Sequence, residues 1–361
     1  MVSRGDVTAP AAPGRRGRRG PSSIHDVARA AGVSTATVSR ALRGLDRVSP
    51  QTRARVLEVA RELSYVPSPS AASLKSGKTG VVGVIVPFLT RWFFMTLMDG
   101  AESCLRQSDY HLLLFNVGMR GAAREHVLDP QLLAKRVDGL LVLSADLDPP
   151  EVTMLRDLHL PIVTVGLDLR GCDRVGIDDV AAADTAMSHL LTLGHRRVAY
   201  IGGNPRDDVH MATALDRWNG VGRALERYGV RIPRDSHLFG DWTVRGGMAA
   251  AARLLDRASP PTAIMAASDE MAIGVLCEAR RRGLTVPGQL SVVGIDDHEL
   301  AFTHDLTTVR QDVPGLGRAA AGLLLDAVAA TAKQRRRQVV LPTELVVRGS
   351  TAAPHRRARS A

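Results

Sequence analysis

The chain is poor in cysteine and in aromatic residues, with 3 Cys, 3 Trp, 4 Tyr and 6 Phe among 361 residues. Cys104, Cys172 and Cys277 are odd in number and far apart. That excludes a disulfide framework and any cysteine-based zinc spacing, and it fits a reducing compartment. No apolar run approaches the roughly 20 residues of a membrane span, so no membrane partner is expected. A secretory h-region is also lacking: residues 1–22 are rich in Gly, Pro, Ala and Arg, including Arg15-Arg16-Gly-Arg18-Arg19. They read as a disordered basic arm on a cytoplasmic protein, either adding nonspecific DNA affinity or taking no part in it.

Catalytic signatures are as scarce. No Gly-x-Ser-x-Gly elbow or Cys/His nucleophile pattern occurs. Gly77-Lys78-Thr79 resembles the end of a phosphate-binding loop, but Ala72 stands where its first glycine is needed. Gly315-x-Gly317-x-x-Ala320 is a loose dinucleotide fingerprint, yet Arg335–Arg337 stand where the ribose-binding acid is required. Asp296, Asp297, His298, Glu299, His304 and Asp305 match no ligand spacing, so a solvated loop is expected there. No enzyme, cofactor or metal is therefore expected.

Acid is scarce at one end only. Residues 1–78 hold 14 Lys and Arg against 5 Asp and Glu, whereas residues 79–354 hold 30 against 32. Of the net charge of +10, +9 thus sits on the first quarter of the chain, as a phosphate-binding head requires, and the last seven residues add three arginines and no acid.

That quarter carries the densest pattern. Ser23 is a candidate N-cap with Asp26 as its acidic partner, and Ile24, Val27, Ala28 and Ala31 share one helical face. Gly32 supplies the turn, Ser34 caps a second helix, and Val38 and Leu42 point that helix inward. Its outer face shows Thr35, Ala36, Ser39 and Arg40, small groups plus one long fork of donors suited to a major groove. Ser49-Pro50 begins a third helix, whose Val56, Ala60 and Leu63 complete a small core closed by Tyr65. A helix-turn-helix follows, with a plain helical hairpin as the alternative.

After Lys78 the pattern alternates. Val81–Pro87, His111–Val117, Gly139–Leu143, Pro161–Val165, Val198–Gly202, Ala263–Ala267 and Leu290–Ile295 read as strands. Between them Trp92–Ser108, Ala181–Leu193, Met211–Tyr228, Arg245–Asp256 and Asp269–Arg282 read as helices. This predicts a doubly wound α/β architecture, and its length predicts two lobes.

Several motifs now join into one resemblance: Asp26-Val-Ala, Gly32-Val-Ser-x-x-Thr37-Val-Ser-Arg40, Val48-Ser-x-x-Thr52-Arg, Leu63-x-Tyr65-x-Pro67 and Ala71-x-Ser-Leu74-Lys75. Further on come Asp138-Gly-Leu-Leu-Val, His189-Leu-Leu-x-Leu-Gly194-His195, Arg217-Trp-x-Gly220, Asp269-Glu-Met-Ala-Ile-Gly274, Leu290-Ser-Val-Val-Gly-Ile-Asp296-Asp297 and Leu306-Thr-Thr-Val-x-Gln311. Over about 23–350 the chain resembles the LacI/GalR (lactose-repressor) family. The resemblance implies a helix-turn-helix head (23–68), a hinge helix and linker (69–79), and a two-lobed periplasmic-binding-protein-like effector domain (80–350). It places lobe crossings near 177, 305 and 338. Lobe 1 would be 80–177 with 305–337, lobe 2 would be 178–304 with 338–350, and 351–361 would be a flexible tail.

It also implies roles: a transcriptional regulator, expected to be a repressor, binding a pseudo-palindromic double-stranded operator as a homodimer. Thr35 and Ala36 would meet base edges and Arg40 a guanine. Ser34, Thr37, Ser39 and, at most, His25 would meet phosphates. Ala71, Leu74 and Lys75 would enter the minor groove, with Leu74 as the wedge. Phe93, Arg217, Trp242, Ser268 and Asp296 would hold a polar, carbohydrate-like effector between the lobes, although each is equally readable as a solvated strand end. The sequence departs from the family pattern at Ala72 (often Arg or Gln), at Ser268 (often Asn) and at Arg91-Trp92-Phe93-Phe94, where Asn-Pro often precedes the aromatics. The effector's identity and the sign of its effect stay open.

Overall fold

In the computed structural model, the described residues are 22–65, 78–118, 128–145, 147–204, 211–330 and 335–355. The minor-groove candidates Ala71, Leu74 and Lys75 lie outside them, as do residues 1–21 of the basic arm. The chain forms two units, Met1–Gly77 and Lys78–Ala361.

The first unit is built from α1 (Ile24–Ala31), α2 (Thr35–Leu42) and α3 (Pro50–Glu62). Each start has the expected cap. Ser23 and Asp26 form a reciprocal capping box, Ser34 accepts from Thr37 N–H, and Ser49 accepts from Thr52 N–H ahead of Pro50. Gly32 ends α1 at φ 68°, a left-handed position open to glycine without strain. The core is small: Val27, Ala28, Ala31, Val38, Ala41, Val56 and Ala60 are buried, with Ile24, Val33, Leu42, Val48, Val59, Leu63 and Tyr65 packed around them.

The second unit holds two sheets. One contains β1 (Val81–Val86), β2 (His111–Asn116), β3 (Gly139–Leu143), β4 (Ile162–Val165), β5 (Asp173–Gly176) and β11 (Gln338–Val340), in the order β11-β5-β4-β3-β1-β2 and all parallel. The other contains β6 (Val198–Gly202), β7 (His237–Phe239), β8 (Ala263–Ala266), β9 (Ser291–Asp296), β10 (Thr307–Gln311) and β12 (Thr343–Val346), in the order β12-β10-β9-β8-β6-β7. Only its β10–β12 pair is antiparallel. Central strands such as β3, β6 and β9 are buried along their whole length, which is why they read as unbroken apolar runs.

Helices cover the sheets: α4 (Trp92–Gln107), α5 (Pro130–Arg136) and α6 (Pro149–Asp157) within the first lobe, then α7 (Asp179–Thr192), α8 (Met211–Arg227), α9 (Val244–Leu255), α10 (Asp269–Arg281) and α11 (Glu299–Thr303) within the second. The next helix, α12 (Val313–Ala329), returns to the first lobe and lies along α4. A Cβ on Gly317 would come 2.0 Å from the Leu97 carbonyl, and one on Gly100 would come 2.1 Å from that of Pro314. Gly317, half of the loose dinucleotide fingerprint, therefore serves a close helix crossing. Gly315 sits in the first turn of α12, where its N–H is capped by Asp312 at 2.8 Å.

Two of the expected boundaries are corrected. The second crossing lies after β10, not near 305, because β10 pairs with β9 in the second lobe's sheet. The third lies after β11, because Gln338–Val340 pair with β5 in the first. Neither short strand has the apolar run that would betray its sheet. The tail also begins later than 351. The Ala352 carbonyl accepts from the buried His195 at 2.9 Å and its N–H donates to Ser291 Oγ at 3.1 Å, while Thr351 Oγ1 bonds His189. Among the described residues no helix is long and apolar enough to cross a membrane.

Candidate functional site

Two sites emerge, one on each unit. On the first, α2 turns Val38 and Ala41 inward and leaves Ala36 and Arg40 exposed, with Thr35, Thr37 and Ser39 half-buried beside them. The exposed Arg40 side chain makes no hydrogen bond or ion pair among the described residues, so its guanidinium is open to a partner. Ser34 and Thr37 share a hydrogen bond of 2.9 Å between their hydroxyls, in addition to the cap. Their oxygens thus mark the α2 N-terminus, where backbone N–H groups and the helix dipole favour an anion. His25, at the start of α1, is exposed.

On the second unit the carboxyl ends of the two sheets face one another. Each sheet reverses its strand order there (between β1 and β3, and between β6 and β8), the position at which open α/β sheets bind ligands. A cavity of about 690 Å³, part of it open to solvent, lies between them. It is lined by Phe93, Arg217, Trp242, Ser268 and Asp296, so the five expected residues, separated by up to two hundred positions in sequence, meet around one space.

Its centre is ionic. Arg217 is 4% exposed and donates from Nε to Asp179 Oδ1 at 2.8 Å and from Nη1 to the Ala267 carbonyl; Asp296 Oδ1 lies 3.8 Å from Nη1. Burial opposes the charge on Arg217, but Asp179 and Asp296 outweigh it and hold the guanidinium protonated. Asp296 ends β9 and accepts from Gln311 Nε2 at 2.7 Å. Burial pushes its carboxyl well above the usual carboxylate range, against the pull of Arg217. Asp269, wholly buried behind it, accepts from Thr308 Oγ1 at 2.6 Å and His298 N–H at 2.9 Å. Burial and the nearby Asp296 drive its carboxyl up as well.

Around this centre stand two aromatic walls. The Trp242 ring lies 5.6 Å from the Arg217 guanidinium and Phe93 comes from the opposite lobe. Ser268 caps α10, accepting from Met271 N–H at 3.4 Å. The neighbouring acids are absorbed: Asp297 is bound by Arg310 and Arg348 at 2.7 and 2.6 Å, and His298 accepts from Leu300 N–H through Nδ1 at 3.0 Å. Of the 296–305 cluster, Asp296 and Asp297 are thus ion-paired and His298 caps a helix, while Glu299 and Asp305 are exposed.

Comparison with known proteins agrees with both halves. Residues 23–68 match the family described as bacterial regulatory proteins, lacI family, and residues 187–351 match a periplasmic binding protein-like domain. The transcriptional repressor CytR of Escherichia coli K12 is 34% identical over 337 residues, spanning 92% of this chain and 97% of its own. The chain belongs to the LacI family. It is thus a DNA-binding transcriptional regulator with a helix-turn-helix head and a two-lobed α/β domain. Solved LacI-family structures align over nearly the whole length. The lac repressor dimer bound to operator and the anti-inducer ONPF gives a TM-score of 0.82 at 28% identity, covering 92% of this chain and 100% of that one. The CelR–cellobiose complex gives 0.68 at 32% identity, covering 91% and 99%.

Sequence reasoning missed part of this LacI-family cleft. Arg91, Asp179, Glu270 and Gln311 also line the cavity. Gln311 closes the Leu306–Gln311 motif and Arg91 was visible as a departure, so both left a signal. Glu270 stands within the Asp269–Gly274 motif and so left one too; Asp179 left none, because it reads as an ordinary acidic first turn of a helix.

Proposed function

We propose that the chain is a cytoplasmic repressor that grips a pseudo-palindromic operator as a homodimer and exchanges operator affinity for occupancy of the cleft by a neutral, polyhydroxylated molecule. The convergence of Arg217, Asp296, Trp242 and Phe93 from both lobes on one cavity carries this reading. A guanidinium that donates, a carboxylate that accepts from hydroxyls and a flat aromatic wall are the groups that recognise a sugar ring. Neutrality is supported by the lining itself: Arg91, Arg174 and Arg217 are matched by Asp179, Glu270 and Asp296. Arg217 is already committed to two carboxylates, so an added phosphate would meet buried acids before it met an open cation. The relatives run in the same direction, one being a repressor, one a dimer on operator and one a cellobiose complex.

On DNA, Thr35, Ala36 and Arg40 would read bases, with Arg40 bidentate to guanine O6 and N7. Ser34, Thr37, Ser39 and His25 would hold phosphates. Ala71, Leu74 and Lys75 would reach the minor groove, with Leu74 unstacking a central step. Effector binding would alter lobe closure and thereby the order of that hinge.

The test is a thermal-shift screen of neutral mono- and disaccharides, their phosphate esters and nucleosides, followed by operator gel shift with each hit. A neutral sugar should raise the melting temperature of the native chain but not of Asp296→Asn, and should change operator affinity. Hits confined to phosphate esters, or hits without effect on DNA binding, would overturn the reading.

A further inference from the structure

The cavity wall contains a contact that joins the lobes. Arg91, the residue before α4 in the first lobe, extends its guanidinium across the cleft to the turn that follows β7 in the second. Its Nη1 donates to the Asp241 carbonyl at 2.9 Å and to the Trp242 carbonyl at 3.0 Å. The side chain is held for this reach by the Phe88 ring, whose centroid lies 4.3 Å from the guanidinium carbon. The receiving turn is unusual as well: Asp241 and Trp242 both adopt left-handed backbone, at φ 50° and 55°, which non-glycine residues rarely do. Two successive left-handed residues turn their carbonyls to one side, where a single donor meets both. Beside this bridge Trp92 packs on His298 of the second lobe, ring centroids 4.5 Å apart.

We propose that Arg91 is a specificity-determining residue that latches the two lobes across the cleft and, by fixing the Trp242 turn, limits the size of molecule the cavity admits. Three chain crossings tether the lobes without setting how far they part, so a half-buried donor shared by two carbonyls is well placed to set it. Loss of the guanidinium removes the cross-lobe bonds to both carbonyls and loosens the turn that carries Trp242, whose ring faces Arg217. As a limit on effector size the proposal rests on the cleft being the effector pocket; as a latch it concerns the ligand-free protein, so the experiment omits ligand and its failure leaves the effector reading untouched.

The chain has only three tryptophans. Trp92 and Trp242 flank the latch, whereas Trp218 is stacked on Tyr200 and His237 inside the second lobe and serves as a constant background. Acrylamide quenching of tryptophan fluorescence in the ligand-free full chain therefore reads cleft opening. Arg91→Ala should raise the quenching constant about two-fold with far-UV circular dichroism unchanged, and Arg91→Lys, which keeps a donor on a flexible stem, should restore part of the protection. A quenching constant unchanged in a folded Arg91→Ala overturns the latch, as does an Arg91→Lys no more protected than Arg91→Ala. Should Arg91→Ala lose its helical signal, Arg91→Lys decides alone: a rise above the native chain supports the latch and no rise overturns it.

Discussion

The head and the cleft solve recognition in opposite ways. On α2 Ala36 and Arg40, two of the groups proposed to read bases, are exposed, while the residues that hold the helix in place are Val and Ala beneath it. In the cleft the groups proposed to hold the effector are themselves part of the structure: Arg217 and Asp296 are buried, paired with each other and tied to Asp179, Ala267 and Gln311. Function and stability should therefore separate in the head and coincide in the cleft.

The largest break of that contrast comes at Arg217. Arg217→Ala leaves Asp179 and Asp296 buried without their cation and should cost about 3–5 kcal/mol in urea unfolding of the second unit. A loss below about 1 kcal/mol would mean the cleft is as separable as the head.

Next comes pH. Burial raises both Asp269 and Asp296, so the folded chain holds protons that the unfolded chain releases above the ordinary carboxylate range. A raised acid makes stability fall as pH climbs from about 4 toward neutral. His189, His195, His237 and His298, all lowered by burial, pull the opposite way as they lose protons. The difference isolates the acids: Asp269→Asn should make the urea midpoint rise more steeply with pH than the native chain's does. Parallel profiles would remove the buried acids from the account.

In the head the effects shrink. Val38→Ala removes two buried methyl groups from a core with few to spare and should cost about 2 kcal/mol, read as a roughly 30-fold fall in amide-exchange protection across α1–α3. Ser34→Ala removes a cap and should cost about 1 kcal/mol. Arg40→Ala should change stability by no more than about 0.5 kcal/mol, yet remove about 1–3 kcal/mol of base discrimination in gel-shift titration and leave weak, salt-sensitive binding. Unchanged operator selectivity would remove Arg40 from the base-reading set.

How much was legible follows the same division. The head's caps, its turn glycine and its inward face are local, set by residues within four positions of one another, and the helices start where Ser23, Ser34 and Ser49 predict. The central strands and long helices of the second unit were equally legible, because burial on both faces leaves unbroken apolar runs. The short strands β5, β7, β11 and β12 were not: with three or four residues, many half-exposed, they carry no period to detect. Their partners decide their sheets, as with β11, and β10 likewise carries a mixed Thr-Thr-Val-Arg-Gln run rather than an apolar one, so the two lobe crossings beside them were misplaced.

By itself, then, the sequence determined the head's helices, the central strands and long helices, and the family pattern that carries Arg217 and Asp296, since each depends on spacing along the chain. Only the tertiary structure decided that Asp179 and Gln311 complete the ionic centre, that Gly317 serves a helix crossing, and that Arg91 reaches the carbonyls of residues 241 and 242. Those contacts join residues that no local periodicity relates, and backbone carbonyls as acceptors leave no trace in side-chain identity.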